Sequence, residues 1–195
     1  NGVSAQNWGG NRARPDLIRK FFPQNDAPEL PSYDMYVAAK DDRALFDGVG
    51  RTLNNEDVST FKSGYAIAKF YKTSEFSSDH HKGSIDAPIF RYGEILLIRA
   101  EAGAELGVLD NTELGRTINE LRKRVGFNHP LTVNPVADPK LEKEYPNIKG
   151  SNANLIREIR RERRIELFGE GYRYDDLRRW ACGKRLDASI VVRAG

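Results

Sequence analysis

Cysteine is nearly absent from this chain: Cys182 stands alone. No internal disulfide, CxxC pair or cysteine-rich zinc site can form, and the redox compartment stays open. Long apolar runs are missing as well, since none approaches the roughly 18 residues that a membrane-spanning helix requires. There is little excess charge of one sign. The 31 Lys and Arg residues face 28 Asp and Glu, a net of +3, so no long-range positive field marks a dedicated nucleic-acid binder. The chain opens at Asn1 with no signal-like apolar segment, a start that fits a processed chain or an excised piece. What remains is 195 residues of 39% apolar composition and mean hydropathy −0.62, the profile of a soluble globular domain.

Residues 1–88 are rich in Gly, Pro, Asn, Asp and Ser and read mostly as loop. Pro15 to Phe22 fits one or two helical turns that Pro23 stops. Ser63 to Lys72 (SGYAIAKFYK) has the β-branched and aromatic content of a strand. From Ala87 the pattern changes. Ile95, Ile98, Ala102 and Leu106 recur at helical spacing, and Phe90, Leu97, Ala100 and Ala104 fall on the far side, which predicts a helix buried on both faces. Gly93 and Gly103 leave room for neighbouring helices, and Gly107 is placed to end this one. A second helix starts at once, with Asp110 and Glu113 at capping-box spacing. Its stripe is Leu114, Ile118, Leu121 and Val125, and Gly126 is its stop. So short a connection makes residues 89–126 one antiparallel helix-turn-helix unit, about the length of a tetratricopeptide repeat. Residues 127–151, with Pro130, Pro135, Pro139 and Pro146, read as a Pro-rich loop. Residues 152–183 hold two further helices, the third capped by Asn152 or Asn154 and the fourth running from about Tyr172 to Cys182 or Gly183.

The run from Leu155 to Trp180 carries eight arginines against six acids, a net of +2. On a helical wheel centred on Ile159, Leu155 and Ile156 lie within about 60°, and so do Glu162, Arg163, Glu166 and, if the helix reaches it, Glu170. Charges that share the apolar side are buried at least in part, and buried charge persists only when paired. The planar arginine fork suits this, because it can hold two carboxylates. The expected internal ion network comprises Glu162, Arg163, Glu166, Glu170, Arg173, Asp176 and Arg178. Arg157, Arg160, Arg161 and Arg164 are the members expected to be more solvated. A nucleic-acid interface would instead need unpaired arginines on one exposed face.

The ordered blocks GYAIAKFY, RYGEILLIRAEAGAELG, INELRKRVGF and LIREIRRERRIELFGEGYRYDDLRRW resemble the C-terminal half of the SusD/RagB family. The run from Glu162 to Trp180 is the most diagnostic. Upstream, RPDLIRKFFPQND resembles that family's short helix before its ligand-side loops. KDDRALFDG resembles its Asp-Pro-Arg turn, with Asp42 in place of the proline. The resemblance implies a mainly α fold of tetratricopeptide-like helix pairs with a loop-rich segment and little β, a fragment of an α-superhelix in which the chain forms a single domain. It implies a non-enzyme that binds an oligosaccharide at the cell surface and delivers it to a SusC-like TonB-dependent outer-membrane transporter. The family's lipidated N-terminal half is absent here, so a membrane anchor belongs to the parent protein, at the outer membrane.

Sugar sites combine aromatic faces with polar side chains at the hydroxyls. The loop-rich segment 1–88 offers such a mixture, and Trp8, Asn11, Arg12, Tyr33 and Tyr36 are the candidate ligand residues, with Arg14 and Arg43 nearby. Tyr33 and Tyr36 could equally pack the loops onto the helices. Trp180, inside the helical signature, reads as core and then needs an internal acceptor for its indole. His80 and His81 beside Asp79 are poorly placed to share a metal ion, because neighbours on an extended chain point to opposite sides. Neither a metal site nor a cofactor is expected. Carboxylates meshed with arginine hold protons weakly and make poor general acids, so no catalytic pair is assigned. A tetratricopeptide-like scaffold that binds a protein segment and no sugar is the alternative.

Overall fold

A computed structural model describes residues 89–127 and 129–183. The expected helix at Pro15 to Phe22, the expected strand at Ser63 to Lys72 and the histidine pair lie outside the described residues. Within them the chain is helical, with no strand. The elements are α1 (Tyr92–Leu106), α2 (Asn111–Arg116), α3 (Ile118–Arg124), α4 (Pro139–Glu144), α5 (Ala153–Glu166) and α6 (Arg173–Arg179).

Helix α1 is built from strong helix formers and stops where its sequence says it should. Gly107 takes φ 72°, a left-handed conformation that a Cβ would disfavour. Its N–H donates to the Ala104 carbonyl at 3.2 Å, and the Val108 N–H reaches the Gly103 carbonyl at 3.0 Å, so the last orphan carbonyls are satisfied. Asp110 then caps α2, its carboxylate accepting the Glu113 N–H at 2.8 Å. The sequence predicts one helix from here to Val125, but the structure breaks it at Thr117, whose φ of −121° and ψ of −95° are not helical. The Thr117 hydroxyl donates to the Glu113 carbonyl at 2.6 Å, a local bond that competes with the regular ladder. The apolar stripe survives the break, and Leu114, Ile118, Leu121 and Val125 are all buried.

Side-chain contacts fix the packing directions. Arg91, at the start of α1, meets Glu166 at the end of α5, while Asn152, before α5, donates to the Ala104 carbonyl near the end of α1 at 3.0 Å. The two helices are therefore antiparallel. Arg124, at the end of α3, reaches the same Glu166, which sets α3 antiparallel to α1 in turn. Asn152 is the N-cap of α5, yet its side chain makes no capping bond because it is spent on α1.

Expectations about burial on α1 and α5 need correction. Helix α1 is buried on one face only: Leu96, Leu97, Ala100 and Ala104 are in the core, whereas Ile95, Ile98, Ala102 and Leu106 are exposed. Periodicity reports where apolar residues lie, but burial needs a second element, and among the described residues α3 and α5 pack on the same side. The space beside Gly103 is filled first by Leu109 of the chain's own turn, 3.2 Å from where a Cβ would lie. Conversely, α5 is buried nearly all round. Arg157, Arg160 and Arg161 are buried and Arg164 is only 12% exposed, against the expectation that they face solvent. The cause is the segment 127–151, which is not a structureless loop. Asp138 caps α4 by accepting the Lys140 N–H at 2.8 Å, with Pro139 in the first turn. α4 and its flanks lie against the outer side of α5, where Glu142 and Glu144 receive Arg157 and Arg164.

The core joins all of these elements. Leu97, Leu114, Ile118, Leu141, Tyr145 and Ile159 are fully buried, each apolar side chain contributing about 1.5–3 kcal/mol relative to exposure. Asn119 pins the loop to α3 by donating to the Leu131 carbonyl at 2.9 Å and accepting the Leu131 N–H at 2.7 Å. Asn147 does the same at the other end, donating to the Trp180 carbonyl at 2.8 Å.

Candidate functional site

The described residues are organised around α5, whose charges reach partners on every neighbouring element. Glu162 is fully buried and accepts Arg122 Nε at 2.8 Å. Glu158 accepts Arg161 at 2.9 Å, and Arg122 Nη2 approaches it at 3.7 Å. Arg163 aligns its Nε with both oxygens of Asp176, at 2.8 and 2.9 Å, joining α5 to α6. Glu166 receives Arg91 and Arg124, at 2.5 and 2.7 Å. Glu170 receives Arg91 at 2.7 Å. Arg173 reaches Glu144 at 3.5 Å. Arg178 is different: it faces solvent and lies 4.0 Å from an equally exposed Asp175, an arrangement that contributes about 0–1 kcal/mol.

Eight members of this cluster among the described residues lie outside the sequence signature. Arg91, Glu94, Glu101 and Glu105 come from the first block, Arg122 and Arg124 from α3, and Glu142 and Glu144 from α4. Helical periodicity within α5 cannot point to them, since their pairing is across space. The one signal in the sequence is the near balance of the run itself, whose surplus arginines require acids from elsewhere.

Glu101 is the acceptor at the centre of the α1–α5–α6 contact. Its carboxylate takes Arg160 Nε at 3.2 Å, Arg179 Nη2 at 2.6 Å and the Trp180 indole N–H at 2.5 Å. Trp180 is in the core, edge-on to Tyr145 with ring centroids 5.7 Å apart. Among the described residues four buried guanidinium nitrogens have no hydrogen-bond partner: Arg122 Nη2, Arg157 Nε, Arg160 Nη1 and Arg163 Nη1. Three of these arginines lie over rings, Arg160 at 4.6 Å from the Trp180 centroid, Arg122 at 5.3 Å from Phe127 and Arg163 at 5.5 Å from Tyr172. The negative ring face offsets part of the missing bond. Nothing in the structure explains Arg157 Nε.

The electrostatic consequences follow the geometry. Burial works against the charge on Arg91, yet bonds to Glu170 and Glu166 outweigh it and hold the guanidinium more firmly protonated than an ordinary arginine. Arg179 shows the same balance, with Glu101 and Asp176 prevailing over burial. Burial, aided by Glu144, pushes the Tyr145 hydroxyl up to about 12. The Tyr172 hydroxyl is also raised, chiefly by its bond to Glu94.

These described residues make a scaffold more readily than a pocket. A shallow hollow of about 260 Å³ opens between Glu105, Lys149, Ile156 and Arg160; ligand sites are typically enclosed clefts of about 300–1,000 Å³. Among the described residues no group of three or more His, Cys, Asp and Glu side chains is placed to hold a metal ion, and no helix is long and apolar enough to cross a membrane. His129 is exposed beside Phe127. Trp8, Asn11, Arg12, Tyr33 and Tyr36 all lie outside the described residues, as do Arg14 and Arg43.

Comparison with known proteins gives this scaffold relatives. The starch-binding protein SusD of Bacteroides thetaiotaomicron is 31% identical, over 71% of this chain and 30% of that protein. A SusD-like protein of Formosa agariphila is 30% identical, over 63% of this chain and 26% of its own length. The chain thus spans under a third of the length of these curated relatives. No solved structure gives a significant match. The profile of the SusD family matches residues 5–189, nearly the whole chain, including both the α1 block and the α5–α6 signature, and the chain belongs to that family.

Proposed function

We propose that this chain is the part of a cell-surface nutrient-binding protein that holds an oligosaccharide for delivery to a SusC-like TonB-dependent transporter, without cleaving it. The observation that carries this reading is the SusD-family match across residues 5–189, and a relative named for starch binding supports the choice of an oligosaccharide. In this reading the helical block is the support. Its carboxylates are engaged by arginines, as at Glu162, Glu166 and Asp176, which is poor chemistry for a general acid. The sugar contacts are assigned to the loop-rich segment 1–88, with Trp8 stacking on the ring and Asn11, Arg12, Tyr33 and Tyr36 serving the hydroxyls. A place at the outer membrane is part of the same reading.

Calorimetry against a panel of oligosaccharides, maltooligosaccharides among them, tests this. Saturable binding that disappears in Trp8→Ala, with the circular dichroism of the helices unchanged, is the expected result. Release of reducing ends on prolonged incubation would make the protein an enzyme. The exposed stripe Tyr92, Ile95, Ile98 and Leu106 on α1 favours a second reading, a helical scaffold that binds a protein segment. Pull-down of a protein partner by a chain that binds no sugar would select it.

A further inference from the structure

The point at which residues 1–88 join the helical block is held by side chains from the far end of the signature. Arg91 has an extended backbone (φ −147°, ψ 162°), and its guanidinium folds back across the first turn of α1. There its Nε lies 2.9 and 3.1 Å from the two oxygens of Glu170, its Nη1 lies 2.5 Å from Glu166 Oε1, and its Nη2 donates to the Glu166 carbonyl at 2.6 Å and to Glu170 at 2.7 Å. Every N–H on the inner side of the fork is used. The path exists because residue 93 is glycine: a Cβ there would lie 2.6 Å from Arg91 Nη1 and 3.3 Å from Glu166 Oε1. A second clamp sits beside it. The Tyr172 hydroxyl shares its one proton between Glu94 Oε2 at 2.7 Å and the carbonyl oxygen of Ile89 at 3.1 Å. Ile89 itself is 87% exposed and Phe90 is 73% exposed, so hydrophobic packing does not hold this entry point. Polar bonds from Glu166, Glu170 and Tyr172 do.

We infer that Arg91, Glu170 and Tyr172 are positioning residues for ligand capture: they fix the place and direction in which the chain leaves the helical block toward its ligand-side segment. This deepens the sugar-binding reading of residues 1–88 and rests on it. Arg91 lies at the rim, 26% exposed, while its partners Glu166 and Glu170 are only 1% and 5% exposed. The clamp therefore adds to the packing of α1 on α5, which the buried apolar contacts of Leu97 and Ile159 also hold, and opening it frees the entry point first. A point charge cannot replace it, because a lysine reaches one carboxylate where the fork spans two and a carbonyl.

The test is made on the full chain with Arg91→Lys, Glu170→Gln and Tyr172→Phe, reading three quantities. Hydrogen exchange at the amides around Ile89 is expected to speed up in each variant while exchange within α5 keeps its wild-type rate. Calorimetric affinity for an oligosaccharide that the wild type binds is expected to fall on the order of fivefold or more, the size of a modest coupling between sites, at a temperature where each variant is still fully folded by circular dichroism. Wild-type affinity in a variant whose entry point exchanges fast would overturn the inference, and so would an affinity loss that only tracks global unfolding. If the wild type binds no sugar in the panel, the functional reading fails by itself. Exchange near Ile89 still decides the clamp, and wild-type rates there in all three variants would overturn it.

Discussion

Glu101 accepts the indole N–H of Trp180 at 2.5 Å across 79 positions of sequence. The same carboxylate holds Arg160 and Arg179, so one side chain of α1 balances two guanidiniums and a ring. Glu101→Ala leaves Arg160 only the half-exposed Glu105, at 3.1 Å, in place of its buried partner, and removing one member of a buried pair costs about 3–5 kcal/mol. Urea unfolding should show that loss. A midpoint within error of wild type would refute the role. A double-mutant cycle with Trp180→Phe should give a coupling of roughly 0.5–3 kcal/mol.

Adjacent residues of α1 should respond oppositely to truncation. Leu97 is fully buried and Ile98 is 47% exposed. Leu97→Ala is expected to destabilise by about 2–5 kcal/mol, Ile98→Ala by no more than about 0.5 kcal/mol. Equal losses in thermal or chemical unfolding would mean that the Ile98 face is covered in solution.

Two aspartates act through backbone N–H groups. Asp110 accepts from Glu113 at 2.8 Å, and Asp138 accepts from Lys140 at 2.8 Å and Leu141 at 3.3 Å. Replacing either by alanine should cost about 1 kcal/mol, and by asparagine far less. Asn152→Ala should also destabilise, for a different reason: it removes the bond that ties the start of α5 to the Ala104 carbonyl of α1. Asp at 152 would not rescue it, since a carboxylate cannot donate.

Tyr145 makes stability depend on alkaline pH. Its hydroxyl is raised from 10.0 to about 12 in the folded protein, so the folded state keeps a proton that the unfolded chain gives up. The contribution is fully present below about pH 10 and is lost as pH rises toward 12, a change of order 3 kcal/mol. Tyr145→Phe should flatten that part of the stability profile. Tyrosinate absorbance should lose its late-titrating Tyr145 component in Tyr145→Phe, and an unchanged titration would contradict the burial.

Local chemistry was legible in the sequence and long-range pairing was not. The Asp110 cap, the Gly107 stop and the stripe of Leu114, Ile118, Leu121 and Val125 could be read directly, because each depends on residues within a turn or two. Trp180 could be placed in the core and its need for an acceptor stated, but nothing near it identified Glu101. The Asp138, Pro139 start of α4 carried a helix signal that the surrounding prolines obscured. Once α4 is missed, the outer face of α5 has no cover, and Arg157, Arg160 and Arg161 are assigned to water. The opposite error on α1 has the same root: Ile95 and Ile98 resemble core residues, but burial is decided by what packs on them. For the candidate sugar contacts the sequence remains the source, since Trp8, Asn11, Arg12, Tyr33 and Tyr36 lie outside the described residues.

The interior placement of the α5 arginines reverses the order in which a protease would find its sites. Trypsin cuts after arginine, and a denatured chain offers the run from Arg157 to Arg164 as its densest target. In the folded chain Arg116 and Arg178 are largely exposed, with side chains 70% and 68% accessible, while Arg160 and Arg163 are 7% and 5% accessible. Digestion should therefore begin at the flanks and reach the signature helix last, and the delay before α5 is cut measures how long the whole arginine–carboxylate assembly stays closed.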